Sequence, residues 1–161
     1  TNLCGIPGLG VLAGLPIGGM GLCAPACEPL PENLRIYNNT FFTADSGTGL
    51  FCIELDSTIS AVFPTTVKNN LGFAPNTTVT ASFPKMLKDL ATGTIASANS
   101  TDLDVKSTIP AWSSLAPTNP TDFSLTAQSY IPGDASVPAF SDFFRIQRPR
   151  IGTPDIGASE F

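Results

Sequence analysis

Between residues 31 and 83 the chain places short apolar runs between clusters of turn-forming residues. The runs are "LRIYNNTFF" (34–42), "GLFCIEL" (49–55), "TTVKNNLGF" (65–73) and "TTVTASF" (77–83), with "ADSGTG", "DSTIS" and "APN" between them. Each run is rich in Ile, Val, Phe, Tyr and Thr, residues that suit a pleated, half-buried surface, so each predicts a strand. None alternates strictly over eight residues, and Asn pairs interrupt two of them, which argues against a plain hairpin sandwich. Residues 84–161 read as loop-rich. One short helix is expected at "FPKMLKDLATG" (83–93), where Leu87 and Leu90 lie three apart and Gly93 can close the last turn.

The two Asn-bearing runs repeat one phrase. Residues 36–42, "IYNNTFF", and 67–73, "VKNNLGF", both fit [IV]-x-N-N-x-x-F, at an offset of 31. That offset falls in the range of one solenoid repeat. Successive turns of a parallel solenoid stack equivalent residues about 4.8 Å apart. Asn suits such a stack twice over, because its amide can ladder along the axis and it tolerates left-handed backbone at a bend. The expected ladder is Asn38 and Asn39 with Asn69 and Asn70, and Phe42 is expected to lie near Phe73 inside the stack. The fold class read from these patterns is all-β, a short right-handed parallel β-helix. It divides into an N-terminal segment at 1–30, a cap or assembly arm, and β-helix turns with a loop-rich C-terminal cap at 31–161.

Composition bears on environment and partners. Charged residues are 13% of the chain, against roughly 25% in ordinary globular proteins, and hydrophobic residues are 42%. The polar surface is therefore mostly Ser, Thr and Asn, which suits a secreted or cell-surface protein and leaves little charge for salt to screen. Net charge is −5, and the only basic cluster is "RIQRPR" (145–150). No broad basic face exists, so no nucleic-acid partner is expected, and an anionic ligand has only that cluster to meet. The chain has no His. That removes the commonest general base, the commonest metal ligand and every Ser–His or Cys–His nucleophile pair. No catalytic residue is assigned.

The chain begins at Thr1 rather than Met, as expected of a processed product or a fragment. Residues 5–26 are uncharged and long enough to suggest a membrane span, but their glycines and Pro7, Pro16 and Pro25 weaken such a helix, so none is expected. Cys4, Cys23, Cys27 and Cys52 are an even set in a chain of secretory character. They read as two disulfides with three connectivities open. Buried free thiols are the alternative. A zinc site is a weaker one, since Cys23 and Cys27 are not spaced as a knuckle and no His completes it.

The C-terminal phrase "RPRIGTPDIGASEF" (148–161) resembles the tails of secreted right-handed parallel β-helix proteins, which end in R-P-x-x-x-x-P-D-I-G-A-x-E-[FYW]. "DFSLTAQS" (122–129) is similar to the phrase that precedes that tail in the family. The family includes relatives of chondroitinase-B-like and alginate lyases and many surface proteins. The resemblance covers about residues 33–161. It implies a parallel β-helix, and for its enzymes a Lys/Arg pair acting with calcium on a polysaccharide. Lys68 and Arg35 stand two residues out of the 31-residue register, so that pair does not carry over. The tail also reads as a cap. Pro149 and Pro154 would stop strand pairing, Asp155 would accept N–H bonds in a turn, and Arg148 or Arg150 would pair with Asp155 or Glu160. Ile156 and Phe161 would cover the open end of the last turn.

Other candidates are local. Asp102 and Asp104 in "STDLDVKS" could serve calcium, the one cofactor the sequence suggests; a solvated turn is the plainer reading. Asn38, Asn76 and Asn99 head N-x-S/T sequons, and glycosylation at Asn38 would conflict with the ladder. Trp112 and Tyr130 could stack on a sugar or form local core. The expected function is a secreted structural or cell-surface assembly subunit, a homo-oligomer or filament built through the apolar N-terminal segment. The alternative is the C-terminal part of a polysaccharide-degrading β-helix enzyme, or a glycan-binding module.

Overall fold

A computed structural model describes residues 34–44, 51–55, 64–76, 85–138, 141–149 and 152–161. Cys4, Cys23 and Cys27, and the expected N-terminal segment at 1–30, lie outside them. The chain is all-β in character, with strands paired in parallel. β1 (Arg35–Tyr37), β2 (Thr40–Phe42) and β3 (Phe51–Leu55) make a first pass. β4 (Thr66–Lys68), β5 (Leu71–Phe73) and β6 (Lys85–Asp89) make a second, and β7 (Ile95–Ser97) begins a third. The sheets are β1-β4-β7, β2-β5 and β3-β6. Ile36 pairs with Val67 and Phe42 with Phe73, the register of the repeated phrase, and Val67 pairs in turn with Ala96.

β6 occupies the stretch where spacing predicts a helix. Its pairing with β3 sets Ile53 beside Leu87 and buries Met86, while Leu90 is left 50% exposed. A helix here would leave β3 without its hydrogen-bonded partner, and that ladder outweighs a weak local preference. The helix lies later. α1 (Asp102–Ser107) starts with Thr101 as N-cap, whose side chain accepts from the Asp104 N–H while the Asp104 carboxylate accepts from the Thr101 N–H. This reciprocal capping box turns the "STDLDVKS" segment, read as a solvated turn, into helix. Val105 points from α1 into the core.

Two apolar clusters flank the β2-β5 sheet. The inner one joins Ile36, Phe41, Ile53, Leu55, Val67, Met86 and Val105. Gly72 faces it at close quarters: a Cβ there would stand 2.9 Å from Met86 Sδ and 3.1 Å from Cys52 Sγ. The outer cluster joins Phe42, Leu71 and Phe73 to Trp112, Phe123 and Ile156. Phe42 and Phe73 are thus neighbours, with ring centroids 6.4 Å apart, but on the outer face of the sheet rather than inside the stack. They are two residues from Thr40 and Leu71 and one from Phe41 and Gly72, so strand alternation turns them outward. Trp112 meets Phe73 and Phe123 edge-on at 5.8 and 5.0 Å, a favoured aromatic geometry.

This outer cluster also revises the expected cap. The C-terminal segment runs along the flank of the stack rather than over its end. Ala158 N–H donates to Thr40 Oγ1 of the first pass, Gly157 N–H to Asn69 O of the second, and Tyr130 meets Ser100 of the third. Ile156 is fully buried in the outer cluster and Phe161 is exposed. Gly157 has φ +92, and a Cβ would stand 2.9 Å from that of Leu71, so only glycine permits this approach. The internal bonds of the tail follow the expected partners. Asp155 accepts from the Ser129 and Phe161 N–H groups, and Arg148 Nε lies 3.6 Å from Glu160.

Candidate functional site

Among the described residues, the corner between the β1-β4-β7 and β2-β5 sheets carries a continuous ladder of asparagine amides. At each pass the chain bends at a residue with left-handed backbone: Asn38 (φ 54), Asn69 (φ 57) and Ala98 (φ 50). The following residue is Asn39, Asn70 or Asn99. Asn39 donates through its N–H and Nδ2 to Asn70 Oδ1, at 3.1 and 2.9 Å. Asn70 donates in the same way to Asn99 Oδ1, at 3.0 and 2.8 Å. Each rung also ties back to a carbonyl, Asn70 Nδ2 to Ile36 O and Asn99 Nδ2 to Val67 O. The ladder therefore has a direction, with donors toward β7 and acceptors toward β1.

In the second pair, Asn69 turns to the flanking segment. Asn69 exchanges two hydrogen bonds with the Asp134 backbone, one each way. The Asp134 carboxylate pairs with Lys68 Nζ at 2.8 Å and accepts from Ser97 Oγ and the Ser136 N–H. The Lys68 ammonium first, then the Ser136 and Ser97 groups, hold its carboxyl well below the usual carboxylate range. Lys68 and Ser97 are register partners on β4 and β7, so a single carboxylate bridges two strands.

A recess of about 250 Å³ opens beside this corner, lined among others by Asn38, Asn69, Val137, Pro138, Arg148 and Pro154. Arg148 brings no free charge to it. Its guanidinium is buried, donating to the Asp155 and Gly157 carbonyls beside Glu160. Burial works against its charged form and lowers its pKa, while Glu160, Asp142 and Asp155 work the other way. Within the basic cluster, Arg145 is exposed and Arg150 lies outside the described residues.

The remaining candidates divide by environment. Asp102 Oδ1 accepts the Met86 N–H of β6 and ties α1 to that strand, while Asp104 binds Thr101 and Thr108 and caps the helix. Among the described residues no three His, Cys, Asp or Glu side chains converge as metal ligands. Asn76 is exposed, whereas Asn38 Oδ1 is buried and Asn99 Nδ2 is bonded within the ladder. A glycan would therefore fit the surface at Asn76 and would break the corner at Asn99. Cys52 is a buried free thiol whose pKa burial pushes up to about 12. Trp112 is core, and Tyr130, half-exposed, shares a hydrogen bond with Ser100. Arg35 pairs with Thr66 and not with Lys68. Among the described residues, no helix is long and apolar enough to cross a membrane.

Sequence reasoning missed Asn99 as a rung, and missed Asp134. The third phrase, "IASAN" (95–99), keeps one Asn of the pair and none of the aromatics, at an offset of 29 instead of 31. A search allowing a two-residue slip would have found it. Nothing local marks Asp134, which lies 65 residues from Asn69. No family model, no curated protein and no solved structure matches this chain.

Proposed function

We propose that this chain is a right-handed parallel β-helix acting as the structural subunit of a secreted or cell-surface assembly, each copy seating its apolar N-terminal segment on the next. The observation that carries this reading is the placement of exposed apolar side chains. Leu90, Ile95, Leu103 and Ile109 are 49–69% exposed, and all belong to the stretch around β7 and α1 that forms the last pass. Residues 5–22, apolar and uncharged, lead into β1 at the opposite edge of the β1-β4-β7 sheet. A contact between two different ends is heterologous and propagates unless its rotation closes a ring. Low charge and a Ser/Thr/Asn-rich surface support a place outside the cell, and the β-helix resemblance of the tail supports the fold.

Sedimentation velocity over a concentration series tests the proposal, with deletion of residues 1–22 as the control. Species that grow with concentration, and a deletion that stays monomeric, are the expected result. A full-length chain that remains monomeric at high concentration, with residues 5–22 protected from protease, would overturn it.

A further inference from the structure

We infer that the asparagine ladder and the β7 edge form a head-to-tail docking surface for the β1 end of a second copy of this chain, an inference that rests on the assembly reading above. Among the described residues, β7 is an edge strand of its sheet. Ile95 N–H donates to Thr65 O and Ser97 O accepts from Asn69 N–H. Alternation then turns the Ala96 N–H and C=O away from β4, toward the side that no described strand pairs. At the opposite edge, Leu34 O accepts from Thr66 N–H and Asn38 N–H donates to Lys68 O, which turns the Arg35 N–H and C=O away from β4. Both edges run in the same direction, so β1 of one copy can extend the parallel sheet beyond β7 of another. α1 packs on β5 and β6, so strand addition at this end is confined to β7 and its corner.

The ladder identifies the partner. Every rung donates toward β7 and accepts from the β1 side. Among the described residues, the Asn99 N–H at one end and Asn39 Oδ1 at the other have no hydrogen-bond partner. A copy displaced by one strand spacing, about 4.8 Å, brings its Asn39 Oδ1 to the place that Asn70 and Asn99 Oδ1 take one rung earlier. The molecule's own β1 end is thus complementary to its β7 end in strand direction, register and amide polarity. Leu90, Ile95 and Leu103 flank this surface with the apolar area that the neighbour's N-terminal segment would cover.

Proline blocks an outward N–H at a sheet edge while sparing inward pairing. Ala96→Pro should disable the β7 edge and Arg35→Pro the β1 edge, both on exposed side chains of the full chain. Each variant alone should sediment as monomer where the wild type assembles. Their equimolar mixture should give a heterodimer and stop there, since each supplies the end that the other lacks. In the wild type, hydrogen exchange at the Ala96 amide should slow at least tenfold between dilute and assembled protein, a reading that needs no variant. Proline variants that assemble as the wild type does, or an Ala96 amide that exchanges equally fast in both states, would overturn the inference and leave the assembly reading standing. A wild type that never assembles would remove both.

Discussion

At the residue scale, Asn70 shows why an amide rather than an aliphatic stands at the centre of the corner. It is fully buried, accepts from Asn39, and donates to Ile36 O and Asn99 Oδ1. Truncation would strand the Asn39 N–H, whose acceptor is Asn70 Oδ1, and take one donor each from Ile36 O and Asn99 Oδ1, while Asn39 Nδ2 keeps Tyr37 O. Each buried polar group left unpaired costs about 1–3 kcal/mol. Asn70→Ala is therefore expected to destabilise the fold by about 1–3 kcal/mol, read from the urea midpoint. Ala98 is the opposite case. It holds φ 50 with no side-chain amide to favour that backbone, and an L-residue with a Cβ there is strained by roughly 1–2 kcal/mol. Ala98→Gly should raise stability by about 1 kcal/mol in the same assay, and a loss would show that its methyl contact with the outer cluster matters more.

At the element scale, the β2-β5 pair is buried on both faces, and each face restricts a different strand position. Phe42 and Phe73 need the cover of Trp112, Phe123 and Ile156, and so hold the C-terminal segment on the flank. Gly72 leaves room on the inner face for Met86, Val105 and Cys52. Gly72→Ala adds one methyl into that contact. Overpacking of this kind costs about 1–3 kcal/mol, and the expected outcome is a loss in that range, measured by thermal unfolding. Cys52 reports on the same packing. Its thiol, pushed up to about 12 by burial, stays protonated at neutral pH, and Gly72→Ala should speed its alkylation if the added methyl forces the inner cluster apart.

At the scale of the whole molecule, the Asp134 carboxylate joins the flanking segment to the stack, while Asp104 and Asp122 hold their own helix and loop ends. Asp134 is held below the ordinary carboxylate range by Lys68, Ser136 and Ser97. Asp104, despite the opposing effect of burial, is lowered by bonds from Thr101 and Thr108. Asp122 is lowered by the Thr118 and Asn119 N–H groups. A carboxylate whose folded pKa is depressed adds stability that is fully present above its unfolded value, about 3.9, and is lost as pH falls through the folded value. The thermal midpoint should therefore hold steady from pH 7 to about 5 and decline below about 4. Asp134→Asn should flatten part of that decline, and an unchanged acid limb would show that Asp134 does not couple the segment to the stack.

The amino-acid sequence by itself determined the register of the first two passes. The phrase shared by 36–42 and 67–73 puts like residues at like positions, and β1-β4 and β2-β5 pair in that register because a parallel ladder stacks equivalents. It also marked the bends, since Asn at 38 and 69 announces left-handed backbone. Arg148 beside Glu160 and Asp155 in its turn follow from the close spacing of the tail phrase. The tertiary structure decided the rest. Residues 85–89 became a strand because β3 offered a ladder, against the Leu87–Leu90 spacing. Phe42 and Phe73 faced outward because the C-terminal segment supplied Trp112 and Phe123 to cover them. The third rung at Asn99 and the Lys68–Asp134 bridge depend on residues brought together by the stacking itself, and a local pattern carries no information about a partner that only folding brings near.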